Sequence, residues 1–188
     1  MTRDEFKRQL AQLQEVIFRG LLYYTVWEAL WPSDEAAAKT LNWFKGFFVP
    51  VRGALHNMMF IEFAKVFDRD KRAASLPNLL SVARQDRSLA PNATPQDLDA
   101  ISKKIDVLSA KILKNLKTLR DQRLAHSDTN PQVLALTKRD FDCLVEDIKS
   151  MFNQLSGAHD DSDYHWELQL NDSASDTREI LRILGEAD

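Results

Sequence analysis

The sequence predicts an all-α protein: an up-and-down bundle of four main helices with a short helical insertion and a C-terminal helical tail. Three observations point there. Glycine is scarce, five in 188 residues, while leucine and alanine, which lose little on entering a helix, are abundant. Apolar residues recur at steps of three and four along several stretches. A Ser, Thr or Asp stands ahead of most of those stretches, where its side chain can accept from the first free backbone N–H groups.

Thr2 is placed to cap a first helix from about Arg3 to Leu30, closed by "WPSD". Its first half carries a narrow stripe, Phe6, Leu10, Leu13 and Ile17. From Val16 onward apolar residues spread around the circumference, which implies more than one neighbour. Ser33 or Asp34 caps a second helix through "EAAAKTLNWFKGFF". Pro50 is expected to interrupt it, and the pattern resumes from Val51 to Phe67 as one kinked helix or two in sequence. Ser75 and Pro77 open a short helix to about Arg84. "APNATPQD" reads as a loop, with Thr94 the next cap and Pro95 the first helical residue. The helix from Pro95 to about His126 is the longest regular signal. Thr137 caps another, with the stripe Phe141, Leu144, Val145, Ile148, Phe152 and Leu155, ended by "SGAHDDSD". The expected organisation is a helical bundle over 1–156 and a tail over 157–188. That tail holds "YHWELQL", an extended segment on one reading, and a short helix around Asp176 to Leu184, packed on the bundle.

The formal net charge of −3 excludes a globally basic nucleic-acid binder, though not a local basic site. One cysteine, Cys143, rules out an internal disulfide framework and fits a reducing compartment. "MTRDEFKRQL" lacks an apolar signal core, and no apolar run is long enough to span a bilayer. The expectation is a soluble, cytoplasmic protein without a membrane partner.

In the long helix the apolar seam runs Ile101, Ile105, Leu108, Ile112, Leu116, Leu119. Continuing by four and three reaches Arg123 and His126, about 60° apart on the same face. A buried arginine without partners would cost several kcal/mol. The face is therefore expected to open into a polar cleft or a subunit interface. A plain structural role fits the same residues, since cations in a last turn meet the negative end of the helix dipole. From Ile101 to His126 seven Lys and Arg face two Asp, a local +5 in an acidic chain. Such a track, with Lys111, Lys114 and Lys117 leading to the arginines, would attract a phosphodiester backbone. An ordinary solvated helix face, neutralised by neighbouring acids, is the alternative.

Arg120-Asp121-Gln122-Arg123-Leu124-Ala125-His126 resembles the signature of the HEPN superfamily, in which an arginine and a polar residue precede a histidine near the end of a bundle helix. "FIEFAKVFDRD" and "TNPQ…LTKRDFD" are similar to the abortive-infection (AbiU type) subgroup, and the likeness covers roughly residues 5 to 155. The resemblance implies a four-helix bundle that forms homodimers and a metal-independent endoribonuclease with no cofactor. His126 would be the acid/base, Arg120 and Arg123 the phosphate stabilisers, and Asp121 an orienting group. RNA supplies its own nucleophile, the 2′-hydroxyl. An antitoxin protein is a further possible partner. Asp128 stands where some HEPN proteins carry a tyrosine that accepts a modification, so that mechanism is not carried over. The rival reading is a non-catalytic HEPN module that binds nucleotide, RNA or a partner protein.

Other constellations read as structural. "AHDDSDYH" gathers His159, Asp160, Asp161, Asp163 and His165, but nothing fixes them on one face, and a solvated acidic loop is expected. His56 is expected to be a hydrogen-bonded core or interface residue. Trp43, Phe44, Phe47 and Phe48 read as ordinary core, with a dimer contact as the alternative. Cys143 sits on a helix flank without a matched histidine.

Overall fold

A computed structural model describes residues 1–109 and 137–186. Those residues form seven α-helices and one 3₁₀ turn, with no strand among them, as the sequence predicts. The helices are α1 (Arg3–Ala29), α2 (Glu35–Trp43), α3 (Lys45–Val66), α4 (Leu76–Gln85), α5 (Pro95–Leu108), α6 (Lys138–Asp160) and α7 (Trp166–Glu186). The 3₁₀ turn, Arg87–Leu89, lies between α4 and α5.

The caps fall where the sequence places them. Thr2 Oγ1 accepts from Glu5 N at 3.2 Å, and Glu5 Oε2 accepts in return from Thr2 N at 2.7 Å. Asp34, not Ser33, caps α2, accepting from Ala37 N at 2.8 Å. Ser75 precedes α4 without a side-chain cap bond, and Pro77 supplies the preset φ of a first turn.

Three local expectations need correction. The break after α2 comes at Phe44 (φ −97°, ψ 32°), not at Pro50. Pro50 lies inside α3, just past its first turn, where its missing N–H removes one bond instead of ending the helix. The tail is not an extended segment followed by a short helix: α7 is continuous over 21 residues. Its inner stripe runs Trp166, Leu170, Ala174, Thr177 and Leu181, buried or half-buried throughout. The small residues in the middle of that stripe leave "NDSASD" looking like a loop. Finally, α6 continues past residue 156 to Asp160, and Asp161 ends it in the left-handed region at φ 61°, which aspartate tolerates better than most residues.

The chain divides into two compact units whose boundaries fall inside α1, inside α3 and between α6 and α7. The first comprises Met1–Ile17 and Phe60–Tyr164. Its core is the α6 stripe (Phe141, Leu144, Ile148, Phe152, Leu155) with Leu79 and Ala83 of α4 and Leu98, Ile101 and Ile105 of α5, all buried. α4, α5 and α6 contact one another. Phe60 of α3 meets Phe141 edge-on at 5.1 Å. The second unit comprises Phe18–Met59 and His165–Asp188, described here to residue 186. Leu30, Leu41, Phe48 and Leu181 make a cluster in it, flanked by Val51, Leu55 and Leu184. α2 and α7 pack closely there. Among the described residues no helix is long and apolar enough to cross a membrane.

Gly185 permits the close approach of α7 to α2. A Cβ at that position would lie 2.7 Å from Thr40 Oγ1, and Thr40 is buried with its hydroxyl donating to Ala36 O at 3.1 Å. Gly185→Ala is therefore expected to destabilise the protein by about 1–3 kcal/mol through overpacking. Adding Thr40→Ala should recover most of that loss in denaturant unfolding; a Gly185→Ala chain as stable as wild type would refute the contact.

Candidate functional site

Arg120, Asp121, Arg123 and His126 lie outside the described residues, as do Lys111, Lys114 and Lys117. The structure describes the two helices that flank their segment. α5 opens with a reciprocal capping box. Thr94 Oγ1 accepts from Asp97 N at 3.3 Å, and Asp97 Oδ2 accepts from Thr94 N and from the Thr94 hydroxyl, both at 2.7 Å. α6 opens the same way: Asp140 Oδ2 accepts from Thr137 N at 2.8 Å and from its hydroxyl at 2.6 Å. Each box satisfies donors that the first turn of a helix leaves free. The predicted seam is buried as far as the described part of the helix runs, at Ile101, Ile105 and Leu108, and Leu98, one turn earlier, is buried as well.

Of the basic track, Lys103 and Lys104 can be placed. Lys103 is exposed. Lys104 turns to α6, with Nζ 3.9 Å from Asp147 Oδ1 and 3.3 Å from Ser150 Oγ. Asp106, an acid of the same stretch, faces Arg69 at 4.0 Å. These pairs are more than a third exposed on both sides and contribute little to stability. Lys104 thus behaves as the solvated-face alternative expects. Arg69 and Arg84 border an open groove of about 390 Å³, but Arg84 already pairs with Asp99 at 2.7 Å, so this groove holds compensated charge.

Glu62 is the charged residue that sequence reasoning missed. It is 3 % exposed, and Lys65 Nζ donates to its Oε1 at 2.7 Å. A legible signal existed, because Glu62 interrupts the apolar stripe Met59, Phe63, Val66, the same kind of conflict noticed at Arg123 and His126. Burial of a carboxylate requires compensation, and its position in "FIEFAKVFDRD" puts it in one of the stretches that carried the family likeness.

His159 is also corrected. It belongs to the last turn of α6 and is 1 % exposed, not part of a solvated loop. Its Nδ1 lies 2.7 Å from Leu89 O; a carbonyl only accepts, so Nδ1 carries the proton. The ring packs 5.0 Å from Phe6. Its acidic neighbours are committed locally, Asp160 accepting from the Ser162 hydroxyl at 2.6 Å and Asp163 from Asn153 Nδ2. Among the described residues no group of three or more His, Cys, Asp or Glu could hold a metal ion. His56 is half-buried, with its ring 5.8 Å from Trp27. Cys143 is exposed. Of the four aromatics read as core, only Phe48 is buried; Trp43, Phe44 and Phe47 are exposed. Trp43 follows buried Leu41 by two positions on α2, about 200° around the helix, and so points away from the cluster that Leu41 joins.

The family model HEPN_AbiU2, described as AbiU2, matches residues 3–180. No curated protein and no solved structure matches.

The capping boxes make a pH prediction. Hydrogen bonds from Thr94 and Thr137 hold the Asp97 and Asp140 carboxyls below their ordinary value. A depressed carboxyl stabilises the folded chain above its unfolded pKa, about 3.9, and loses that contribution as pH falls through the folded value. Thermal midpoints of Asp97→Asn/Asp140→Asn should fall less than those of wild type between neutral pH and pH about 2. Parallel curves would contradict this.

Proposed function

The chain belongs to the HEPN_AbiU2 family, an abortive-infection HEPN module, and from that premise we propose that it is a metal-independent endoribonuclease. The observation that carries the reading is the motif Arg120 to His126, in a chain whose described residues form helices and no strand and which the family matches over residues 3–180. In this mechanism the RNA 2′-hydroxyl attacks the adjacent phosphorus. The P–O5′ bond breaks, leaving a 2′,3′-cyclic phosphate and a 5′-hydroxyl. Histidine titrates near neutrality, so His126 can take the proton of the nucleophile or deliver one to the departing oxygen. The planar, permanently charged guanidinium of Arg120, aided by Arg123, stabilises the charge that gathers on the phosphate. Asp121 orients a histidine or holds Arg120. Two copies related by a dyad would supply an acid and a base from one chain.

Lys111, Lys114 and Lys117 would guide the backbone of the RNA, making binding sensitive to salt. An antitoxin protein that covers the motif would keep the activity silent in the cytoplasm until infection. Members of an abortive-infection family need such restraint, because general RNA cleavage harms the host that carries it.

The test is cleavage of a labelled single-stranded RNA in excess EDTA. His126→Ala and Arg120→Ala should each cut at least about 100-fold more slowly than wild type, with unchanged helix content and unchanged mass in solution. Equal rates in all three proteins would overturn the proposal.

A further inference from the structure

The first half of α3 is apolar on both of its sides. Phe48, Val51 and Leu55 join the buried cluster of the second unit. On the other side, the exposed positions from 46 to 58 carry no charge. Phe47, Val49, Pro50, Ala54 and Met58 are apolar there, two more positions are glycine, and Asn57 is the one polar residue. Phe47 is 64 % exposed and Val49 55 % exposed. At about 100° and about 1.5 Å per residue, these positions cover about half the circumference over about 20 Å. The water-facing side of a surface helix is normally polar. An apolar face of this extent is costly unless something covers it.

The charges beside this face have one sign. From residue 36 to residue 61 the sequence holds Lys39, Lys45 and Arg52 and no acid. Lys45, Val49 and Arg52 step by four and three, which sets both cations along one edge of the face. Arg52 lies over the Trp31 ring at 4.2 Å from its centre. Lys39 and Lys45 are exposed and have no ion-pair partner among the described residues. Of the acids that bound the stretch, Glu35 is exposed, while Glu62 is buried and accepts from Lys65. At the corner between α2 and α3, Trp43 and Phe44 are exposed as well.

We propose that this face of α3, with the α2–α3 corner, docks on the surface of a bilayer of anionic phospholipid. Phe47 and Val49 enter the boundary between headgroups and acyl chains, and Trp43 and Phe44 sit at headgroup level, where aromatic rings are favoured. Lys39, Lys45 and Arg52 reach the lipid phosphates from the edge. Charge complementarity selects this occupant. A second copy would bring the same acid-free surface and nothing to pair with its cations. An RNA backbone would meet uncharged apolar groups across the centre of the face, with cations only at its margin. A helix lying in the interface needs no spanning segment, so the lack of one, on which the expectation of no membrane partner rests, does not oppose this contact.

Sedimentation of the full chain with vesicles tests this, using equal parts of phosphatidylglycerol and phosphatidylcholine against phosphatidylcholine alone. Half of the protein should sediment with the anionic vesicles at or below about 1 mM lipid. Neutral vesicles should bind at least about tenfold more weakly, because they lack the partner of the cations. Phe47→Ser/Val49→Ser should weaken binding at least about tenfold, and Lys45→Glu at least about fivefold, with circular dichroism unchanged in both. Tryptophan emission should shift to the blue on anionic vesicles. His126→Ala should bind like wild type, which separates this contact from the nuclease reading. Absence of binding at about 1 mM anionic lipid, equal binding to neutral vesicles, or full binding in both variants would overturn the proposal. So would a dimer that Phe47→Ser/Val49→Ser splits, or RNA binding that it abolishes, in a wild-type chain that ignores vesicles.

Discussion

The apolar stripe of α6 is the constraint on which the first unit depends. Phe141, Leu144, Ile148, Phe152 and Leu155 are buried, and full burial of side chains of this size supplies about 1.5–3 kcal/mol each relative to exposure. α4 and α5 pack on it. Phe60 brings α3 to its start, and Phe6 meets His159 near its end. The chain therefore runs from buried Leu108 on one side of the motif segment to buried Phe141 on the other. A threonine–aspartate box opens α6 directly after that segment, and another opens α5 at the end remote from it.

Most of this frame is legible in the sequence because it is written in local physics. Thr94-Pro95 and Thr137 announce helix starts, and the stripes on α5 and α6 follow a period of three and four without interruption. The failures share another origin. α7 hides its continuity because Ala174 and Thr177 carry the buried face where large apolar residues would normally mark it. His159 is charged or polar by type, so "AHDD" reads as loop, yet the carbonyl of Leu89 and the ring of Phe6 make a place for it that only tertiary structure reveals. Trp43 and Phe47 are hydrophobic by type and exposed in fact, because composition alone cannot say which side of a helix break faces water.

The candidate site is read from conflict in the sequence, and its residues lie outside the described ones. Arg123 and His126 continue a seam of leucine and isoleucine, and Glu62 cuts through the stripe of α3. Charges on an apolar face are tolerated where function or pairing requires them. Lys104 gives the counterexample: it belongs to the basic track, but Asp147 and Ser150 of α6 occupy it. A run of cations is thus not read as one surface.

The central claim is that RNA is cut by its own 2′-hydroxyl, with histidine and arginine in place of a metal. The chemistry of the fragment ends tests it most directly. RNA incubated with the purified full chain in EDTA should end in 2′,3′-cyclic phosphate on one side of the cut and 5′-hydroxyl on the other, resolved by mass spectrometry. Fragments bearing 3′-hydroxyl and 5′-phosphate ends, or RNA left intact by the protein, would contradict it.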